Sequence, residues 1–201
     1  MRYPLISLTL TALALTACSN PEPSSTAAAG AAGQAPVQVA TEQEADAPVS
    51  PVAMAELAPT AGNQVAGRIY FVRVDGGLRA SGRLTGLVPG QAHGFHIHQN
   101  GDCSAADGSS AGGHFNPSAV DHGKVDADPH HAGDMPNLQA DADGVAVVDG
   151  PVSSLVSVGD GGEYDIIGRG LIVHADPDDY ASQPTGNAGA RLACAVIQPA
   201  G

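Results

Sequence analysis

The sequence predicts an all-β domain, and two observations predict it. After residue 60 the apolar residues come in short runs separated by turn residues, with no sustained stripe at helical spacing. The chain also carries 26 Gly and 15 Pro among its 201 residues, which supply many turns, while 3% aromatic content and no Trp leave an aliphatic core. This length makes one domain or at most two small ones. The formal net charge of −13 argues against nucleic acid as a partner.

Residues 1–18 stand apart from that domain. Arg2 gives a basic start, Leu5 to Leu15 is a mostly apolar run too short to span a bilayer, and small residues lead to Cys18. The pattern predicts a secretory signal peptide, and Leu15-Thr16-Ala17-Cys18 resembles the lipobox of bacterial lipoproteins, in which that cysteine is acylated. Ser19 resembles the sorting signal for the outer membrane. The expected location is the periplasm, with a lipid anchor through Cys18. Residues 19–60 lack Lys, Arg, His and aromatic side chains and are dominated by Ala and Pro, so they are expected to form a disordered tether. As a random coil it would span on the order of 35 Å. Residues 61–201 are then the folded domain.

Of three cysteines, an acylated Cys18 leaves Cys103 and Cys194 free to pair in an oxidising compartment. Their bond would close a loop of roughly 90 residues and contribute on the order of 4–5 kcal/mol through chain entropy.

The strands follow in order. Val65 to Val74 reads as the first, with Tyr70, Val72 and Val74 on one face and Ile69 and Phe71 on the other. Gly76-Gly77 is its turn and Leu78 to Leu87 the return. Next comes Gly94-Phe95-His96-Ile97-His98, then Asn137 to Ala142, Val145 to Val148, Gly170 to His174 and Arg191 to Ile197. Seven or eight short strands fit a β-sandwich or flattened Greek-key barrel. Two long loops remain, 99–136 and 175–190, and loops of that length in a compact domain are functional or held by something.

His96 and His98 share one face of their strand, about 6.5 Å apart, while Phe95 and Ile97 share the other. Two such imidazoles can converge on one ion. Seven of the 8 His lie between His93 and His131, and the last is His174. The loop 99–136 holds Gly112-Gly113-His114-Phe115-Asn116-Pro117, His122, and Pro129-His130-His131-Ala132-Gly133-Asp134, with no apolar core of its own. Three histidines and a carboxylate can close a tetrahedral zinc site and supply that constraint. If His114 lies near the His96 and His98 pair, its imidazole can serve two metals. His-rich Gly/Asp loops also occur as loose surface metal binders, and spacing alone leaves both readings open.

The segments His96 to Cys103, Gly113 to Pro117, His131 to Asp134, Gly168 to His174 and Gly186 to Cys194, taken in order, resemble the copper,zinc superoxide dismutase family over about residues 64–198. The resemblance implies an eight-stranded Greek-key barrel that converts superoxide to oxygen and hydrogen peroxide. It assigns copper to His96, His98, His114 and His174, and zinc to His114, His122, His131 and Asp134, with His114 bridging. It makes Asp178 the carboxylate linking histidines of the two sites and Arg191 the arginine beside the open copper face. His114 would supply a proton, and Arg191 would attract and orient the substrate anion. His93 and His130 match no ligand position and read as solvated.

Two departures from the better-known members matter. The segment from His174 to Arg191 is short and carries Asp176, Asp178 and Asp179 but no lysine, so the positive guidance loop of eukaryotic relatives is missing. Lys124, in the metal-holding loop, is a candidate replacement. The disulfide-loop region also differs, which leaves the oligomeric state open, a homodimer included. The competing function is a copper/zinc-binding lipoprotein without dismutase activity.

Overall fold

The computed structural model describes residues 50–201. The expected signal peptide, the anchor cysteine Cys18 and the tether up to residue 49 lie outside the described residues. Ten strands follow in the order β1 Pro51–Pro59, β2 Ala66–Val74, β3 Gly77–Thr85, β4 Ala92–His93, β5 Phe95–His98, β6 Leu138–Gln139, β7 Ala146–Pro151, β8 Gly170–His174, β9 Arg191–Val196 and β10 Gln198–Pro199. Among the described residues the helical content is one short turn, Ser109–Ala111.

One curled antiparallel sheet runs β5-β8-β9-β1-β2-β3-β7, with β10 added to β1, and β4 pairs β6 separately. The chain leaves β3, makes β4 to β6, and returns as β7 beside β3, while β8 returns beside β5. This is the Greek-key barrel that the strand count predicts. Alternation fills its interior. Ile69 and Phe71 of β2, Ala80 and Leu84 of β3, Phe95 and Ile97 of β5, and Leu171 and Val173 of β8 are all fully buried or nearly so.

β1 corrects the expected domain boundary. Its nine residues fall within the Ala- and Pro-rich stretch that the sequence reads as tether, yet they occupy the middle of the sheet, with β2 on one side and β9 on the other. Ala53, Ala55 and Leu57 point inward at 0, 1 and 2% exposure. The two prolines sit at the strand's first and last positions, where a missing ladder donor does least harm. Two smaller corrections concern the second half of the chain and the first turn. Only Leu138–Gln139 of the expected strand Asn137 to Ala142 pairs, and the β2–β3 turn is Asp75-Gly76, since Val74 already faces Gly77.

Cys103 and Cys194 form the expected disulfide, with Cα atoms 5.8 Å apart. It ties the loop after β5 to the middle of β9.

Candidate metal centre

The two long loops converge on the outer side of β5 and β8. Loop 99–136 turns back along β5 twice. Phe115 N donates to Ile97 O at 2.9 Å, Gln99 N to Gly113 O at 2.9 Å, and Gly133 bonds both Ile97 and Phe115. Gly133 has to be glycine, because a Cβ there would stand 2.1 Å from Ile97 O. These pairings set Asp134 opposite His96 and His114 opposite His98. His174 ends β8, the antiparallel neighbour of β5.

Two clusters result: His96, His98, His114 and His174, and His114, His122, His131 and Asp134, each with its ligand atoms within 4.8 Å of one another and all residues buried. The second nitrogen of most rings is occupied by an acceptor, which fixes the nitrogen left for a metal. His98 Nδ1 lies 3.0 Å from Gly112 O and His174 Nδ1 3.4 Å from Gly189 O, leaving their Nε2 atoms 3.2 Å apart. His96 Nε2 lies 2.8 Å from Asp178 Oδ2, leaving Nδ1 buried with no hydrogen-bond partner. His114 directs both nitrogens inward: Nδ1 lies 2.9 Å from Asp134 Oδ1, and Nε2 is buried without a partner.

A buried polar nitrogen without a partner is costly, and a metal ion is the group that satisfies it among other imidazole nitrogens. Two such atoms in the first cluster, with the converging Nε2 atoms, fit an all-nitrogen ion such as copper. In the second cluster Asp134 Oδ1 lies 2.9 Å from His122 Nδ1 and 3.5 Å from His131 Nδ1, and His131 Nδ1 lies 3.3 Å from His114 Nδ1. Tetrahedral zinc bonds of about 2.0–2.1 Å place ligand atoms about 3.3 Å apart. The donor set and its spacing fit zinc.

Asp178 spans the two clusters. Its Oδ1 meets His122 Nε2 at 2.9 Å and its Oδ2 meets His96. Gly186 makes room for it, since a Cβ there would lie 1.8 Å from Asp178 Oδ1. The neighbouring Asp179 instead caps the turn at Ala181 and Ser182.

The electrostatics favour neutral ligands. Burial, with the charge of neighbouring imidazoles, lowers His98 well below its ordinary value and His174 to about 3. Burial likewise brings His114 down to about 4 against the pull of Asp134. His122 goes the other way: burial opposes its charge, but hydrogen bonds to Asp134 and Asp178 prevail and hold it at about 9 without metal. Asp134 and Asp178 resist the raising effect of burial because their histidine partners hold both below the usual carboxylate range.

Arg191, half-buried at the start of β9, donates from Nη1 to Gly108 O at 2.6 Å and from Nη2 to Gly112 O at 2.5 Å. Gly112 O is also the partner of His98, so one carbonyl aligns both the guanidinium and an imidazole of the first cluster. Lys124 stands apart, exposed and paired with Asp126 at 3.1 Å.

His93 and His130 are the expectations that fail. Both are buried, at 0 and 5% exposure, not solvated. His93 Nδ1 bonds the carbonyl of His174 at 2.9 Å. Sequence reasoning had no signal for this, because burial of a histidine in a two-residue strand or a loop is set by what packs over it.

The family model for copper/zinc superoxide dismutase matches residues 65–197. The chain is 43% identical over 142 residues to "Superoxide dismutase [Cu-Zn] 2" of Mesembryanthemum crystallinum, covering 67% of this chain and 88% of that one. It is 38% identical over 156 residues to the protein of the same name from Aquifex aeolicus, covering 73% and 86%. Among solved structures it is similar to a double mutant of a SOD-like protein from Bacillus subtilis, at TM-score 0.65 and 38% identity, covering 72% and 96%. It is also similar to the clock protein EA4, at TM-score 0.64 and 36% identity, covering 74% and 94%. By its sequence and by the barrel that carries the two clusters, the chain belongs to the copper/zinc superoxide dismutase family.

Proposed function

We propose that this chain is a superoxide dismutase whose copper is held by His96, His98, His114 and His174 and whose zinc is held by His114, His122, His131 and Asp134. The observation that carries the reading is the pair of buried, partnerless nitrogens, His96 Nδ1 and His114 Nε2, aimed into the same cluster as the Nε2 atoms of His98 and His174. When bound, copper supplies a one-electron couple, so that one superoxide is oxidised to oxygen and the next is reduced, with two protons, to hydrogen peroxide.

The residues do the rest. Arg191 is oriented by two carbonyls and supplies a fixed positive charge and N–H donors for the anion. His114 Nε2 is the ring atom that can hold a proton for the product when it is not a ligand. Asp178 holds the imidazoles of His96 and His122 through their far nitrogens, which keeps the two clusters in fixed relation. The zinc cluster gives a loop without its own core a rigid frame, a structural role.

The chain's signal peptide, lipid anchor at Cys18 and periplasmic site, attached to the outer membrane, are part of the same proposal. The lipobox-like run ending at Cys18 and the Ala/Pro-rich segment after it support them, as does a disulfide suited to an oxidising compartment. With β1 in the barrel, the tether covers residues 19–50 and the domain begins at Pro51.

Purified protein should hold both metals and remove superoxide, and a copper chelator should abolish the activity. A chain that binds both metals yet removes no superoxide is instead a copper/zinc-binding lipoprotein. Cys18→Ser should move the protein from the membrane fraction to the soluble periplasm with unchanged activity per molecule. Wild type found wholly soluble with an unmodified Cys18 would end the anchor.

A further inference from the structure

His130 precedes the cluster residue His131, yet its side chain points away from both clusters and into a second loop. Its Nδ1 lies 2.7 Å from Ala127 O and its Nε2 2.9 Å from Ser153 Oγ. Both residues are buried, at 5 and 1% exposure. The direction of each bond in the neutral ring follows from the partners. A carbonyl only accepts, so Nδ1 carries the proton and Nε2 accepts from the Ser153 hydroxyl. That hydroxyl in turn accepts from Leu155 N at 3.2 Å.

Ser153 itself is tied to the barrel. It stands two residues beyond the end of β7, and the buried Val152 before it donates its N–H to Leu78 O of β3 at 3.0 Å. On the other side, the 129–131 backbone presses on the rest of the zinc cluster. A Cβ at Gly123 would stand 2.3 Å from Pro129 O. The N–H groups of Gly123 and His131 both donate to Asp134 Oδ2, at 3.1 and 2.7 Å.

We infer that His130 and Ser153 are a positioning pair that fixes the zinc-holding loop to the barrel wall and sets His131 and Asp134 for the ion. These two side chains add a tie next to His131 to those the loop already makes through β5 and the disulfide. Groups that orient metal ligands directly are worth about 10- to 100-fold in affinity, so a tie one step further out is expected at the low end of that range. The inference rests on the assignment of zinc to that cluster and adds a residue pair outside it.

The test is zinc competition against a chromophoric chelator, using the purified full-length protein. Ser153→Ala, a small change expected to fold, and His130→Phe should each weaken zinc binding about tenfold or more, and the double variant should be no weaker than the worse single one. Co(II) placed in the zinc cluster should show a shifted visible spectrum in both variants, while Cu(II) absorption stays as in wild type. Tyr164→Phe removes a different bond between the same loops, Ser118 Oγ to Tyr164 OH at 2.7 Å, and should leave zinc binding within twofold. Ser153→Ala that binds zinc within twofold of wild type, or that lowers only the melting temperature of the metal-free protein, overturns the pairing. So do losses that multiply in the double variant. Wild type that takes up no zinc at this cluster overturns the metal assignment itself, and the inference with it.

Discussion

Arg191 shows how a single residue is given a task by its surroundings. Burial disfavours its charge, yet two backbone carbonyls accept from its guanidinium and hold it beside His98. We expect Arg191→Ala to lower kcat/KM on the order of tenfold, about 1.4 kcal/mol of transition-state stabilisation, with metal content unchanged. Rates by pulse radiolysis equal to wild type would remove Arg191 from the mechanism. Salt screens the attraction that acts through water, so raising ionic strength should slow wild type more than the variant. Equal salt slopes would place the steering elsewhere, with Lys124, exposed and paired with Asp126, the next candidate. At this scale the cluster residues were legible, because His-x-His on a strand and the ordered His and Asp positions of the loop are local patterns. His93 and His130 were not, because the same residue type is solvated or buried according to contacts made across 81 and 23 positions of the chain.

Among the elements, the strands with large β-branched or aromatic inward residues were readable from alternation alone, and β1 was not. Its inward residues are Ala53, Ala55 and Leu57, two of them too small to raise a hydrophobic signal above an Ala/Pro-rich background. They are small because β1 lies mid-sheet beneath a crowded interior that includes Phe71 and Ile69. If β1 is an integral strand, Leu57→Ala should destabilise the domain by about 2–5 kcal/mol, read from denaturant midpoints. A loss under about 0.5 kcal/mol would mean that the segment is only loosely applied. The disulfide acts at the same scale. Cys103 and Cys194 fasten the loop that carries Gly108 and Gly112, the two carbonyl partners of Arg191. Reduction should therefore speed copper loss and lower activity before it unfolds the barrel. Activity and metal retention indifferent to a reductant that demonstrably opens the bond would refute this.

For the whole molecule, the buried histidines make stability without metal a two-sided function of pH. His114 and His174 are depressed to about 4 and about 3, with burial the main cause, from an ordinary value of 6.5. As pH falls from 6.5 toward 4, the unfolded chain takes up protons that the folded one refuses, so stability falls, by on the order of a few kcal/mol over that window. Above 6.5 these two groups are neutral in both states and contribute no slope. His122 has the opposite sign. Its folded value is raised to about 9 despite burial, by Asp134 and Asp178, so its stabilisation is complete below 6.5 and is lost as pH rises through 9. Asp134 and Asp178 are depressed, and their contribution is lost only below the ordinary carboxylate value of 3.8, outside this window. The metal-free protein should therefore be most stable near pH 6.5 and weaken on both sides. Metal loading should remove the alkaline decline, because a His122 that ligates through Nδ1 has already given up the proton whose loss sets that slope and keeps only the Nε2–H it donates to Asp178. The acid decline remains, since acid competes for every ligand nitrogen. Urea midpoints of chelator-stripped and metal-loaded protein between pH 4 and 9.5 would decide this. A flat acid limb in the stripped protein would contradict the buried neutral imidazoles. An alkaline limb that survives His122→Ala would assign that slope to some other group.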